Sequence, residues 1–180
     1  MKILLLLLAL WSASLGWAET VGPCVGSVGS NDAYFLFRPG ESDLDLRLSV
    51  LTESGEFVTS VDANSVADND FVAKFYVTQL ESDTPYRYRI AELTSSSGSR
   101  LVASGDALSF RTTDVSRKTK VTAVMISCVN KDTAPVWKEI GKLSPDLLCL
   151  SGDTPYIDTI KLEDIRRKHR DFLNEASLAG

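Results

Sequence analysis

Leu147-Leu-Cys-Leu-Ser-Gly-Asp-Thr-Pro-Tyr-Ile-Asp158 is the stretch on which the reading of the fold turns. Leu147 to Leu150 are long enough for a strand buried on both faces, as in a parallel sheet. Ser151 and Gly152 end that strand, and Asp153 follows at once. In an open α/β sheet, ligands bind outside the carboxyl ends of the strands, so Asp153 stands where chemistry is done. A carboxylate beside a glycine that permits close backbone approach suits a hard metal ion. The competing reading is an Asx-turn opening Thr154-Pro155.

Working outward, Val121 to Ile126 reads as an earlier strand that ends at Ser127-Cys128. Between the two strands, Val136, Ile140 and Leu143 recur at helical spacing, with Pro135 suited to a first turn. Ser144-Pro145-Asp146 breaks that helix. A β-α-β unit has parallel strands and a right-handed crossover, so both strand ends emerge on one edge. Cys128 and Asp153 should therefore be neighbours, with Tyr156 facing the same cleft and Asp158 close behind. A thiolate and a phenolate favour a ferric type of site, while carboxylates alone favour magnesium or calcium. Taken singly, Cys128 reads rather as a buried thiol and Tyr156 as a packed aromatic. A last helix is expected from about Lys161 to Asn174, with Leu162, Ile165, His169, Phe172 and Leu173 on one face. His169, the single histidine of the chain, is read there as a core or boundary residue.

Upstream the periodicity changes to two. Ala33 to Arg38 is rich in strand formers and stops at Pro39-Gly40. Leu44, Leu46, Leu48 and Val50 alternate with Asp45, Arg47 and Ser49. Phe71, Ala73, Phe75 and Val77 repeat the pattern, and so do Tyr86, Tyr88 and Ile90 with Arg87 and Arg89 between them. Leu108 to Arg111 adds a short last strand. Strands at this spacing without helices between them predict an antiparallel sandwich. Ser95 to Ser99 is a polar loop tip. Leu80-Glu-Ser-Asp-Thr-Pro-Tyr86-Arg-Tyr88 resembles the L-x-P-x-T-x-Y-x-Y corner of fibronectin type III-like domains, with Ser82 in the place of the proline. Phe110-Arg111-Thr112 resembles the end of their last strand. The corner tyrosine, Tyr86, is expected to pack its ring and bond its hydroxyl across the turn.

The 180 residues leave room for one domain or two small ones. A hydrophobic content of 44% and a charged content of 24% are ordinary for a globular protein. The net charge of −5, without a basic patch, argues against a nucleic-acid partner. Arg117 to Lys120 reads as a solvated linker and Arg166-Arg167-Lys168 as a solvated helix face. Lys2, the apolar run Ile3 to Trp11 and Gly16-Trp17-Ala18 form a secretory signal peptide, cleaved after Ala18. Its apolar core is too short to span a bilayer, so a secreted or periplasmic protein without a permanent membrane anchor is expected. Cys24, Cys128 and Cys149 cannot all pair within one chain. Cys149 is expected to be a small core residue; Cys24 suggests no role.

Residues 121–173 resemble the opening of the catalytic domain of the alkaline phosphatase D (PhoD-like) family of metallophosphatases. The matching pieces are the strand ending in Ser127-Cys128, the S-P-D-L of Ser144 to Leu147, the L-S-G-D-T-P-Y-I-D that follows, and the R-R-K-H-R-D-F-L helix of Arg166 to Leu173. The resemblance implies a phosphoric ester hydrolase with iron and/or calcium, in which Asp153 bridges the metal ions and Cys128 is a thiolate ligand of iron. Tyr156 matches the tyrosine of the G-D-x-x-Y segment. The family also draws a tyrosine from the next helix, where this sequence offers Ile165 and Phe172, and histidine and aspartate motifs from well downstream.

The expected architecture is thus a signal peptide over 1–18 and a fibronectin type III-like β-sandwich over 20–113. A linker over 114–119 leads to a partial α/β metallophosphatase domain (β-α-β-α) over 120–180. The functional expectation is the N-terminal part of an exported, metal-dependent alkaline phosphatase or phosphodiesterase. Phosphate esters would be the substrates of the full-length enzyme, and this chain would be inactive by itself. The alternative is a non-catalytic sandwich that binds a partner or carbohydrate, with a degenerate α/β tail.

Overall fold

The computed structural model describes residues 20–94, 98–105, 108–114, 116, 120–129 and 134–174. The leader and the tip Ser95–Ser97 lie outside the described residues, as does much of the expected linker.

Alternating apolar residues fold into two antiparallel sheets packed face to face. One sheet has the order β1-β2-β5, formed by Val21–Val28, Ala33–Arg38 and Ala73–Val77. The other has the order β4-β3-β6-β7, formed by Phe57–Ser65, Leu44–Thr52, Pro85–Leu93 and Ser99–Ala103. The last strand of that sheet is interrupted: β7 pairs with Ile90 to Leu93, and β8 (Ser109–Arg111) pairs with Pro85 to Arg87. The core side chains are the ones the alternation selects: Ala33, Phe35 and Phe37 facing Leu46, Leu48 and Val50, with Ala73, Phe75, Val77, Tyr86, Tyr88 and Ile90 between them. Burying each of the large ones removes apolar surface worth about 1.5–3 kcal/mol. Phe35 is the hub, with its ring 4.8 Å from Tyr88 and 5.2 Å from Phe110.

The corner also forms. The Tyr86 hydroxyl accepts the Glu81 backbone N–H at 2.9 Å. Thr112, buried at the end of β8, donates its hydroxyl to the Glu81 carbonyl at 2.5 Å and accepts the Thr84 N–H at 2.9 Å.

Four details differ from the pattern in the sequence. β1, β4 and β7 carry no strong alternation, and pairing with their neighbours makes them strands. β1 is bulged at Gly22 (φ +83°), where a Cβ would stand 2.7 Å from the Cys24 nitrogen. Phe71 is not in a strand: Asp70 and Phe71 are both left-handed, at φ +58° and +60°. They turn the chain out of a 3₁₀ segment, Ala67–Asn69, into β5. Ser99 belongs to β7, not to a loop tip.

Beyond the sandwich come β9 (Ala123–Ile126), α1 (Ala134–Leu143), β10 (Leu147–Leu150) and α2 (Leu162–Leu173). β9 and β10 are parallel, with Ala123 opposite Leu147 and Ile126 opposite Leu150. Val129, Trp137, Ile140 and Phe172 form a second small core, with Val124 and Ile126 against it. β10 is not buried on both faces: Leu147, Leu148 and Leu150 are all exposed, and Met125 of β9 is 73% exposed. Among the described residues, helices cover one face of this two-stranded sheet only. Cys149 is accordingly half-buried. His169 is exposed, since Phe172 is the one residue α2 buries. No described helix is long and apolar enough to cross a membrane.

Candidate metal centre

The parallel pair β9–β10 fixes the site. At its entry, Asp146 clasps Thr122: the Thr122 N–H reaches the carboxylate at 2.8 Å, and the Asp146 N–H reaches the Thr122 carbonyl at 2.9 Å. At its exit, the Ser151 N–H donates to the Ile126 carbonyl at 2.8 Å, and the Cys128 N–H donates to the Gly152 carbonyl at 2.9 Å. These bonds bring Cys128 alongside the Gly152-Asp153 step.

Both residues there are left-handed, Cys128 at φ +57° and Asp153 at φ +53°. For a residue with a Cβ this conformation costs roughly 1–2 kcal/mol, although aspartate tolerates it better than most. Cysteine has no such excuse, and Cys128 is exposed, so packing does not demand the turn.

The segment after Asp153 folds back over the strand ends. The Thr154 hydroxyl donates to the Ser151 carbonyl at 3.0 Å, so the turn is held by the threonine. Among the described residues, no donor reaches the Asp153 carboxylate, and the Asx-turn reading fails. Tyr156 returns to the thiol. The neighbouring Cys128 thiol is the largest of the influences that raise the phenol above its usual range. The Cys128 charge, partial desolvation and the Asp153 and Asp158 carboxylates add to it. Each opposes a second negative charge at the phenol oxygen. Asp158, left-handed at φ +46°, closes the segment.

The structure thus sets Cys128 beside the Gly152-Asp153 step and brings Tyr156 within the influence of Cys128, Asp153 and Asp158, and it leaves His169 on the exposed side of α2. Thiol, carboxylate and phenol are donors that fit a metal ion in kind. They do not yet close a site: among the described residues no three His, Cys, Asp or Glu side chains are grouped as ligands.

Sequence reasoning missed what holds this segment down. The Lys168 ammonium donates to the Ile157 carbonyl, between Tyr156 and Asp158. Arg166 reaches the Asp68 carbonyl at 3.3 Å, and Arg170 grips the Asp70 carboxylate. The basic run on α2 is therefore not simply a solvated face. No local pattern could have shown this, since Asp70 is 100 positions away from Arg170.

The fold has a solved counterpart, described as the structure of PhoD, at a TM-score of 0.67 and 16% identity over 89% of this chain. The chain shares that fold. It spans 35% of that structure's length. Two fibronectin-type domains are also similar over part of the chain. The FN5 domain of Drosophila Lar matches 54% of it and 98% of its own length (TM-score 0.38, 16% identity). The fn3 domain of human collagen alpha-1(XX) matches 61% of it and 97% of its own length (TM-score 0.39, 15% identity). No family model and no curated protein matches the sequence.

Proposed function

We propose that this chain is the N-terminal part of an exported, metal-dependent phosphoric ester hydrolase of the PhoD-like type. A signal peptide over 1–18 would precede a sandwich module over 20–113, and the opening of the catalytic domain would start at about residue 120. The observation that carries the reading is the cluster at the exits of β9 and β10, on a chain path that follows PhoD for 89% of its length. Cys128 and Asp153 would hold the metal, iron and/or calcium, with Tyr156 and Asp158 at its margin.

A metal ion bound there would supply Lewis-acid polarisation of a phosphoryl oxygen. The chain's own residues prepare the place. The left-handed turns set Cys128 and Asp153 at the same sheet edge, and with no donor from the described residues the Asp153 carboxylate keeps its lone pairs for a cation. With its phenol raised, Tyr156 keeps its proton, so it adds no charge against an incoming phosphate ester at neutral pH. The further ligands and the groups that bind phosphoryl oxygens would come from sequence like the remainder of the PhoD chain.

Two measurements test this. The chain alone should show no turnover of an aryl phosphate with added iron, calcium or manganese; robust turnover would overturn the division of the site. An open frame beyond Gly180 carrying aspartate- and histidine-rich motifs, with activity lost in Asp153→Asn and sharply reduced in Cys128→Ala, would support the assignment. An authentic stop there would favour the second reading, a non-catalytic binding module. One observation favours that reading: Tyr34 and Tyr76 stack at 4.2 Å on the outer face of the β1-β2-β5 sheet, with Leu36 exposed beside them. Such a platform suits a sugar ring or an apolar partner.

A further inference from the structure

We infer that Asp70 and Arg170 are positioning residues whose ion pair makes α2 a strut, tying the Tyr156–Asp158 segment to the sandwich through Lys168.

The strut begins in the sandwich. Arg38, the last residue of β2, is 2% exposed, and its Nε donates to the Asp70 carbonyl at 2.9 Å. Its guanidinium carbon stands 5.8 Å from the centre of the Phe71 ring, and the group reaches Glu41 at 3.3 Å. Asp70 is thus held in its left-handed turn from the backbone side, with one carboxylate oxygen 3.8 Å from the same Arg38 Nε. Arg170 meets that carboxylate with one nitrogen at 2.8 and 3.0 Å from the two oxygens. Both side chains are largely withdrawn from water, 15% and 20% exposed, so the pair is screened far less than a surface bridge.

Lys168 lies two residues earlier on α2. Two residues turn an α-helix by roughly 200°, so Lys168 projects from the side opposite Arg170. It donates to the Ile157 carbonyl, and Ile157 sits between Tyr156 and Asp158. One helix therefore spans two grips, the sandwich on one side and the candidate site's loop on the other. Arg166, bonded to the Asp68 carbonyl, adds a second hold on the sandwich side. Among the described residues, the loop has few bonds of its own to fix it. The sandwich, none of whose described residues supplies a donor to the cluster, thereby sets where the Tyr156–Asp158 segment stands beside Cys128. This positioning needs nothing of the ester chemistry, and failure of the hydrolase reading would leave it standing.

The test reads backbone order in the chain without metal. Asp70→Asn removes the charge, and with it the longer Arg38 ion pair at 3.8 Å, but it keeps a residue that tolerates the left-handed turn and leaves the Arg38 bond to the backbone carbonyl in place. Amide exchange in α2 should quicken at least tenfold, while β2, β3 and β6 stay within twofold. The ¹⁵N order parameters of residues 156–158 should fall from about 0.85 toward 0.6. Lys168→Met should loosen residues 156–158 alone, with α2 exchange unchanged. Arg170→Lys, which keeps the charge, should fall between the wild type and Asp70→Asn. Should Asp70→Asn loosen the sandwich as well, Arg170→Met decides: a steady sandwich with a looser loop supports the strut. Unchanged order at residues 156–158 in Arg170→Met or in Lys168→Met would overturn it.

Discussion

Replacing Tyr86 with phenylalanine removes one oxygen atom and tests how the sandwich corner is held. In the wild type the ring is buried and lies 5.5 Å from the Phe110 ring, stacked at 29°. The hydroxyl is the acceptor for the Glu81 N–H at 2.9 Å. Phenylalanine keeps the ring and orphans that N–H in a part-buried turn. An unmet backbone donor costs about 1–2 kcal/mol, toward the low end where water can reach it. Alanine removes the ring as well and should cost about 3–5 kcal/mol. For a sandwich of this size, 1 kcal/mol lowers the midpoint by roughly 4–8 °C, so Tyr86→Phe should lose about that much and Tyr86→Ala several times more. Urea unfolding followed by circular dichroism gives both values, and an unchanged m-value would show that the comparison is fair. Amide exchange adds a local check, since the Glu81 proton should exchange faster in Tyr86→Phe while Leu48 and Ile90 keep their rank. A Tyr86→Phe protein as stable as the wild type, or one with undiminished Glu81 protection, would refute the reasoning.

Thr112→Val, nearly isosteric, strips the Glu81 carbonyl of its donor and the Thr84 N–H of its acceptor. It should cost about 2–3 kcal/mol in the same urea assay, more than Tyr86→Phe. Burial, with a smaller push from Cys24, raises the Tyr88 phenol to about 12. The raised value favours the neutral form in the fold. That stability is whole below the unfolded value near pH 10 and is lost as pH climbs from about 10 through 12. Discounted for solvent that reaches the hydroxyl, the loss is about 1–2 kcal/mol. Tyr88→Phe should flatten alkaline unfolding over that window, and an unchanged profile would count against it. Cys128→Gly relieves a left-handed residue that is exposed, so thermal melting should hold steady or rise by a few degrees while thiol labelling at the strand end disappears. A marked fall in the melting point would mean that the Cys128 side chain serves packing after all.

What the sequence determined by itself is whatever depends on period and on punctuation. Alternation from Leu44 to Val50 and from Tyr86 to Ile90 fixed which side chains face inward, because a strand's side chains change face at every residue. Pro39-Gly40 and Ser144-Pro145 ended elements where backbone sterics require it. The β-α-β order placed Cys128 and Asp153 on one edge, because the two strands of such a unit run parallel. Tertiary structure decided the rest. β1, β4 and β7 became strands because a neighbour offered hydrogen bonds, and Phe71 left its strand because the turn at Asp70 needed it. Leu147 to Leu150 read as a strand buried on both faces, yet among the described residues its three leucines stay exposed, since burial depends on what packs against a strand and not on its composition. His169 shares a helix face with Phe172 in sequence, but only the turn that meets Trp137 is covered. The contacts of Asp70 with Arg170 and of Lys168 with the Ile157 carbonyl were invisible beforehand. An ion pair between distant positions leaves no mark in either local pattern, and only folding brings its two halves together.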